Sequence, residues 1–429
     1  MKTIIIGAGL TGLGLAYFLE KEGEKDYLIL ESESEIGGWC KTIRKNGFAF
    51  DLAPHLLHIK DLKISQLINE LLENKLFSQA RKGGIFFQGK IIPYPFQYNL
   101  YHLDDVTKKE CLDSAIESHN KFQNKKPINF EEFILINMGG GIARHFMIPY
   151  NKKYYCVEPN ELTFDFFEKY MSSTKLEDIK RGAISDMSNS EIGFFKNFLY
   201  TKEGGIDYLP KAFSEKINNI KLNEKIVKID IYKKIIFTKD KEYKYENLVS
   251  TIPLPEIINL IENVPEEIKI ASKKLRCTSM SLVFLGINRP KISEHHWLYF
   301  PQEDIFQFRN SFPMNFSEKT TPQGMNSICA EYSYIGEKKF SDEEIINKTI
   351  DDLIKIGIIK NKEEIIFKDI CNKKYGYVIF DFNRTENLKL IQNYLRENKI
   401  YPIGRYGVWE HSSMDEVIIQ AKEIVPQLI

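Results

Sequence analysis

Three glycines in the first dozen residues, Gly7, Gly9 and Gly12, stand at the spacing with which a polypeptide cradles a pyrophosphate. Gly7 permits a tight turn, Gly9 removes the side chain that would hold the backbone off the phosphates, and Gly12 lets a helix pack close to a strand. Leu10 and Thr11 open that helix, whose unpaired N–H groups and positive dipole end favour an anion. Nineteen residues beyond Gly12, the apolar run 27–30 ends in Glu31, placed to accept hydrogen bonds from a ribose. Ser32, Gly38 and Trp39 follow, and the Gly37-Gly38 pair can turn the chain back over a nucleotide. A second glycine turn, Gly404-Arg405-Tyr406-Gly407, precedes a final helix beginning near Met414. Two helix N-termini suit a long two-phosphate cofactor bound across the protein, which favours FAD over NAD.

These residues require a strand at 1–6, a helix from Leu10, and a second strand at 27–30, the start of a doubly wound α/β lobe. A secretory leader is the competing reading of the apolar 4–19 stretch. Four glycines interrupt it and Glu20-Lys21-Glu22 closes it, so a leader is not expected. Further on, 61–77 has a helical period with Asp61 as N-cap, and 85–92 reads as a hairpin turning at Gln88-Gly89. Residues 94–99 form an aromatic loop, and helices are expected at 104–122 and 130–137. Gly139-Gly140-Gly141 marks a hinge or a close backbone approach, and a helical, aromatic-rich pattern runs on to about residue 200. Strands are expected at 226–231, 234–238, 243–245, 248–253, 281–286, 297–300, 305–308 and 327–331, with a helix at 342–356 and another at 414–424. The fold class is α/β: a Rossmann-type FAD-binding lobe assembled from 1–60, 200–275 and 396–429, a mainly helical substrate lobe at 61–199, and an antiparallel sheet lobe at 276–395.

Length and charge limit the partners. A chain of 429 residues can bury two or three lobes. Lys+Arg and Asp+Glu number 59 each, without blocks of one sign, which argues against nucleic acid and against anionic lipid. No apolar run approaches the roughly 18 to 20 residues that cross a bilayer. Cys40, Cys111, Cys156, Cys277, Cys329 and Cys371 are widely spaced, which fits reduced cytoplasmic thiols, and no metal site is expected.

The motifs at 7–38, Asp51-Leu-Ala-Pro-His55-Leu-Leu-His58, Tyr94-Pro-Phe96, 141–152 with its Pro-Tyr150-Asn151 core, Gly204-Gly205, Phe308-Arg309 and Gly404-Arg405 resemble the UDP-galactopyranose mutase family. That family lies within the wider FAD group of protoporphyrinogen oxidases and amine oxidases, and the resemblance spans nearly the whole chain. It implies reduced FAD, a nucleotide-diphosphate sugar substrate and a reductant such as NAD(P)H, and it is compatible with a homo-oligomer. The implied reaction interconverts pyranose and furanose forms through attack of flavin N5 on the anomeric carbon, and would feed polysaccharide synthesis. A true oxidase or dehydrogenase of the wider group is the alternative.

The resemblance also assigns residues. Arg309 matches the strand arginine that holds the diphosphate, and a surface or structural arginine is the plain alternative. Arg181 fits either a second diphosphate arginine or a solvated charge, because its flanks depart from the family. His58, and with it His55, would lie beside the isoalloxazine. Tyr377 would lie beside the sugar and phosphates, or be a core aromatic. Arg405 would contact flavin or diphosphate. Phe96, Tyr150 and Asn151 would shape the substrate lobe. His411 stands where the mutases carry a diphosphate-binding tyrosine, and Ser413 where they carry an acid. Tyr154-Tyr155 stand where bacterial mutases carry a lid tryptophan. Phe164, Phe166, Phe167 and Tyr170, at helical spacing, read as core packing, with base stacking as the lesser reading.

Overall fold

In a computed structural model the run Thr3–Ile6 is the central strand of a five-stranded parallel sheet; the structure describes residues 1–122, 125–170, 174–187 and 197–429. The strand order is Ile400–Pro402, Asn247–Ser250, Thr3–Ile6, Tyr27–Leu30, Ile220–Lys221. Both faces are covered, which is why the strands are continuously apolar. Ile5 points to one face, against Leu13 of helix Leu10–Lys21, Ile418 of helix Met414–Ile424 and Phe213. Ile4 and Ile6 point to the other, against Ile229, Ile236, Ile257 and Ile391. The early, middle and late parts of the sequence therefore meet in one sheet.

A second sheet has seven strands, in the order Ile365–Lys373, Ser279–Ile287, Asn326–Tyr334, Arg309–Ser311, Trp297–Tyr299, Gly83–Phe87, Lys90–Pro93. All pairs are antiparallel except Trp297–Tyr299 with Gly83–Phe87. Its last two strands are the hairpin read from the sequence, and they come from before residue 100. One face packs on helix Asp342–Lys355 through Ile345, Ile350 and Leu353. The opposite face, carrying Leu282, Phe284 and Cys329, packs on the helices of residues 105–167 and on Phe48 and Phe50.

The helical part is held by close backbone contact. A Cβ on Gly141 would lie 2.7 Å from Cys111 Cα, and one on Gly139 would lie 2.5 Å from the Ala115 nitrogen. Helices Asp105–Lys121 and Phe130–Ile142 thus touch at the glycine run, where Gly139, at φ 81° and ψ 166°, also kinks the second helix, so the run is both a break and a close approach. Asp61 caps helix Leu62–Leu71 by accepting from the Ile64 N–H.

Several expectations are corrected. The 61–77 helix stops at Leu71 because Glu73 and Asn74 turn left-handed, and Leu76–Ala80 is instead a strand paired with Asn197–Thr201. Residues 305–308 do not form a strand. The Ile305 and Gln307 carbonyls accept from the Lys153 ammonium and the Phe306 N–H donates to Asp352, so side chains take the bonds a ladder would use. The strand begins at Arg309. Tyr377 lies in a loop joined to Cys277 by one bridge at Val378. Strand Ile365–Lys373 and helix Arg384–Glu397 were not anticipated. The helical pattern expected to residue 200 includes 171–173 and 188–196, outside the described residues, as is the Tyr170 side chain. Among the described residues no helix is long and apolar enough to cross a membrane.

Gly141→Ala is expected to force the two helices apart and cost about 1–3 kcal/mol, read as a lower midpoint in urea unfolding; an unchanged midpoint would contradict the contact.

Candidate active site

Sheet register sets the centre of the site. One rung runs Leu282, Glu331, Arg309, Tyr299, Ile85 across neighbouring strands. Directly opposed residues share a face, so this rung points at the helical part. The Arg309 guanidinium meets the Glu331 carboxylate as a fork, Nη2 to Oε2 at 2.7 Å and Nε to Oε1 at 2.5 Å. Glu331 is 0% and Arg309 16% exposed, so the pair is shielded from water on all but one side. Burial opposes the Arg309 charge, but Glu331 outweighs it and drives the guanidinium pKa upward. The same Nη2 donates to Tyr377 Oη at 3.2 Å.

Aromatic rings stack through the site from distant parts of the chain. Tyr154 lies on Tyr377 at 4.0 Å, Tyr377 parallel to His411 at 5.8 Å, His411 against Phe166 at 5.1 Å, and Phe166 on Phe380 at 4.2 Å. Beside this stack, Arg405 Nη1 donates to the Ser412 carbonyl at 3.1 Å, and Nη2 approaches His411 Nδ1 at 3.4 Å. The Arg405 guanidinium carbon is 5.9 Å from the Tyr377 ring centre. Among the described residues Arg405 has no carboxylate partner.

The histidine loop lies close by. His55 Nδ1 is 3.1 Å from the Ala53 carbonyl, so that nitrogen carries the hydrogen and Nε2 is left as an acceptor. Burial pushes the His55 pKa down to about 4, and the Arg405 and Arg309 charges act in the same direction. His58 is lowered too, by burial and then by Arg81, and its ring meets the edge of Phe198 at 6.5 Å.

The glycine turns form a cradle that fits a dinucleotide. A Cβ on Gly12 would lie 2.1 Å from the Gly7 carbonyl oxygen, so the helix can sit this close only without a side chain. Gly9 is the helix N-cap, with no side-chain cap and no acid in the first turn, leaving N–H groups for an anion. Gly9 and Gly38 face each other closely; a Cβ on Gly38 would approach the Gly9 Cα at 3.3 Å, so side chains there would crowd the two turns. Gly404, at φ +78°, lies against Thr11, where a Cβ would meet Oγ1 at 2.5 Å. The C-terminal turn is therefore locked onto the N-terminal one. Glu31 accepts from the Ala8 and Glu33 N–H groups and from Ser32, which fixes its carboxylate and leaves lone pairs for a ribose. Ser413 and Glu416 form a capping box on helix Met414–Ile424.

Other expected residues sit apart from this centre. Phe96 is fully buried, stacked on Phe146 at 5.4 Å, and serves the core. Asn151 donates to the Met147 carbonyl within its helix. Tyr150 lies between Phe146, Tyr299 and Phe308, lining the wall behind Arg309. Arg181 is exposed and paired with Asp178, and among the described residues it joins neither Arg309 nor Tyr377. Glu331 was missed by sequence reasoning, although an acid inside the apolar strand 326–334 was a usable signal. Tyr154, noted only as a departure, is the ring that stacks on Tyr377.

Glu331→Ala strands a buried guanidinium and is expected to cost about 3–5 kcal/mol in chemical denaturation; a matching loss should be partly recovered on adding Arg309→Met. His55 contributes stability that is present above its unfolded pKa near 6.5 and lost as pH falls through about 4. His55→Asn is therefore expected to lower the drop in melting temperature between pH 7 and pH 4.

Comparisons with known proteins agree with this construction. The model of the family described as flavin containing amine oxidoreductase matches residues 10–386. A solved structure of a reduced UDP-galactopyranose mutase superposes with a TM-score of 0.93 at 26% identity, covering 100% of this chain and 93% of that one. A coproporphyrinogen III oxidase of Bacillus subtilis is 20% identical over 406 residues, 84% of each protein. A protein of Dictyostelium discoideum named "Probable flavin-containing monoamine oxidase A" is 26% identical over 202 residues, 43% of this chain and 44% of that relative's length. The chain belongs to the flavin-containing amine oxidoreductase family, with the FAD-binding fold of UDP-galactopyranose mutase, and its cofactor is FAD.

Proposed function

We propose that this FAD enzyme interconverts the pyranose and furanose forms of a nucleotide-diphosphate sugar resembling UDP-galactose. The observation that carries the reading is Arg405, a guanidinium with no carboxylate partner among the described residues, set across Tyr377 from Arg309. An uncompensated charge in such a place is stabilised by an anion, and two guanidiniums beside one tyrosine suit a diphosphate. The likeness to a reduced UDP-galactopyranose mutase supports the same reading.

FAD would lie with its pyrophosphate at Gly9 and Thr11, its ribose at Glu31, and its ring beside His55 and His58, with the Gly404-Arg405 turn closing the far end. When bound and reduced, the flavin supplies a nucleophilic nitrogen for the anomeric carbon. The protein does the rest by placement and charge. Arg405 offsets the charge of the departing diphosphate, and Arg309, oriented by Glu331, adds hydrogen bonds that hold it for return. Tyr377, its phenol kept protonated by burial against the pull of Arg309, offers a fixed O–H. Neutral His55 presents Nε2 as an acceptor for a hydroxyl proton. The stack from Tyr154 to Phe380 keeps water from the reacting carbon. A reductant such as NAD(P)H would maintain the reduced state.

A second reading has its own support. The coproporphyrinogen III oxidase relative is similar over most of both chains, and a substrate bearing carboxylates could use the same guanidiniums. An ammonium substrate fits them poorly, because like charges repel in a shielded site.

Incubation with UDP-galactose and related nucleotide sugars under dithionite, followed by chromatography, is expected to yield a furanose product. Its absence with every sugar, together with oxygen-dependent turnover of coproporphyrinogen, would select the oxidase. Arg309→Lys loses the fork and is expected to lower kcat/KM by about a hundredfold with the flavin spectrum unchanged.

A further inference from the structure

Lys153 is bonded in a way that the reaction does not explain. Its Nζ lies 2.9 Å from the Phe300 carbonyl oxygen, 3.0 Å from that of Gln302, 2.7 Å from that of Ile305 and 2.7 Å from that of Gln307. An ammonium has three N–H groups, so four carbonyls within bonding distance surround it more as a coordination sphere than as a set of single bonds. Among the described residues it has no carboxylate within ion-pair distance, whereas the neighbouring Lys152 pairs with Glu158 at 2.8 Å. Carbonyl oxygens that replace a hydration shell are the chemistry that holds a monovalent cation.

The caged segment is the connection between strands Trp297–Tyr299 and Arg309–Ser311. Within it, Phe300 and Phe308 still pair, through the Phe300 N–H and the Phe308 carbonyl at 3.0 Å, and the residues between them have left the ladder. Two residues after the last caged carbonyl comes Arg309. Immediately after Lys153 in its own helix, Ile148–Tyr155, comes Tyr154, whose ring touches Phe308 at 5.3 Å and stacks on Tyr377. Lys153 thus joins the element carrying Tyr154 to the element delivering Arg309. A cavity of about 380 Å³, lined by Lys153, Cys156, Phe306, Phe308 and Tyr332 among others, opens beside the cage.

We propose that Lys153 is a positioning residue acting as a tethered monovalent cation: its ammonium fills a four-carbonyl cage in the 300–307 connection and thereby sets Arg309 at the hydroxyl and Tyr154 on the ring of Tyr377. Without it four carbonyls of one short connection turn toward each other with no positive charge among them. The connection then relaxes and Arg309 loses its place, while the dinucleotide cradle, built from other strands, is untouched. The cage is a property of the fold; the ligand consequence rests on the diphosphate reading above.

The test is Lys153→Ala in the FAD-bound protein, with two readouts. Ammonium or methylammonium chloride should raise its melting temperature above that in tetramethylammonium chloride of equal ionic strength, and should not do so for the unsubstituted protein. UDP affinity, followed by its perturbation of the flavin spectrum, should fall by about tenfold or more and recover in the same two salts. Equal melting temperatures in all salts, or unaltered UDP affinity in the variant, would overturn the proposal. If the unsubstituted protein does not bind UDP, the diphosphate reading fails while the melting experiment still decides the cage. Lys153→Met, which keeps the stem and leaves no room for a cation, should lose UDP affinity without salt recovery. If neither variant accumulates with FAD bound, the cage is a requirement of folding rather than of the site, and the positioning role is wrong.

Discussion

A charge pair almost wholly shielded from bulk water governs how the antiparallel sheet must be built. Glu331 has no exposed surface and Arg309 little, and they meet only because their strands pair with these two residues directly opposed. Desolvating either ion costs several kcal/mol, and only a well-formed fork offsets it. A slip of one residue in the register would send Arg309 to the opposite face, among Leu298, Ala330 and the isoleucines of helix Asp342–Lys355, with nothing to neutralise it. The pair therefore specifies the register more than it stabilises the fold, and the irregular connection before Arg309 must be anchored by something other than ladder bonds.

Around that pair the site is assembled from segments far apart in sequence. Tyr154 comes from the helical part, Tyr377 from the loop after the last strand of the large sheet, and His411 and Arg405 from the C-terminal turn. The C-terminal turn is placed by the close approach of Gly404 to Thr11 and by the Gly404 N–H, which donates to Gln420 Oε1 at 2.7 Å. Because Thr11 is in the first turn of the helix at the dinucleotide cradle, the same close approach sets both the cradle and the position of Arg405. The proposed substrate pocket and the cofactor cleft are in this sense one structure, and a displacement at Gly404 would be felt at Tyr377.

Features governed by local rules were legible in the sequence. The glycine spacing at 7–12, the Asp61 cap, the Gln88-Gly89 turn and the helix at 414–424 depend on residues within a turn or two of each other, and the structure has them. Features governed by distant partners were not. Residues 305–308 have strand composition, yet Lys153 and Asp352, both far away in sequence, take their backbone groups. Strand Ile365–Lys373 alternates weakly and is held by Ser279–Ile287 rather than by its own pattern. Glu331 could be seen as odd in its strand, but not as the partner of Arg309 without the register. Arg181 shows the opposite limit: a match of residue type carried no information about where the helix turns it, which is outward to Asp178.

Charge also says what the family description does not. Arg309 is balanced by Glu331, so the site is left with the Arg405 charge, and the adjacent His55 is held neutral by its burial and by both guanidiniums. Among the described residues a pocket so arranged has one fixed positive charge in excess near the stacked tyrosine, in surroundings where Coulomb interactions are several times stronger than in water. Amines, which arrive as cations at neutral pH, would bring the wrong sign, whereas phosphates and carboxylates bring the right one. Membership in a family described by its amine substrates thus fixes the scaffold and the flavin, while the residues set on that scaffold select the class of ligand. In the reading proposed above the selection runs toward anions, and the choice between a diphosphate and a carboxylate depends on what the Arg309 fork, already half engaged by Glu331 and Tyr377, can still reach.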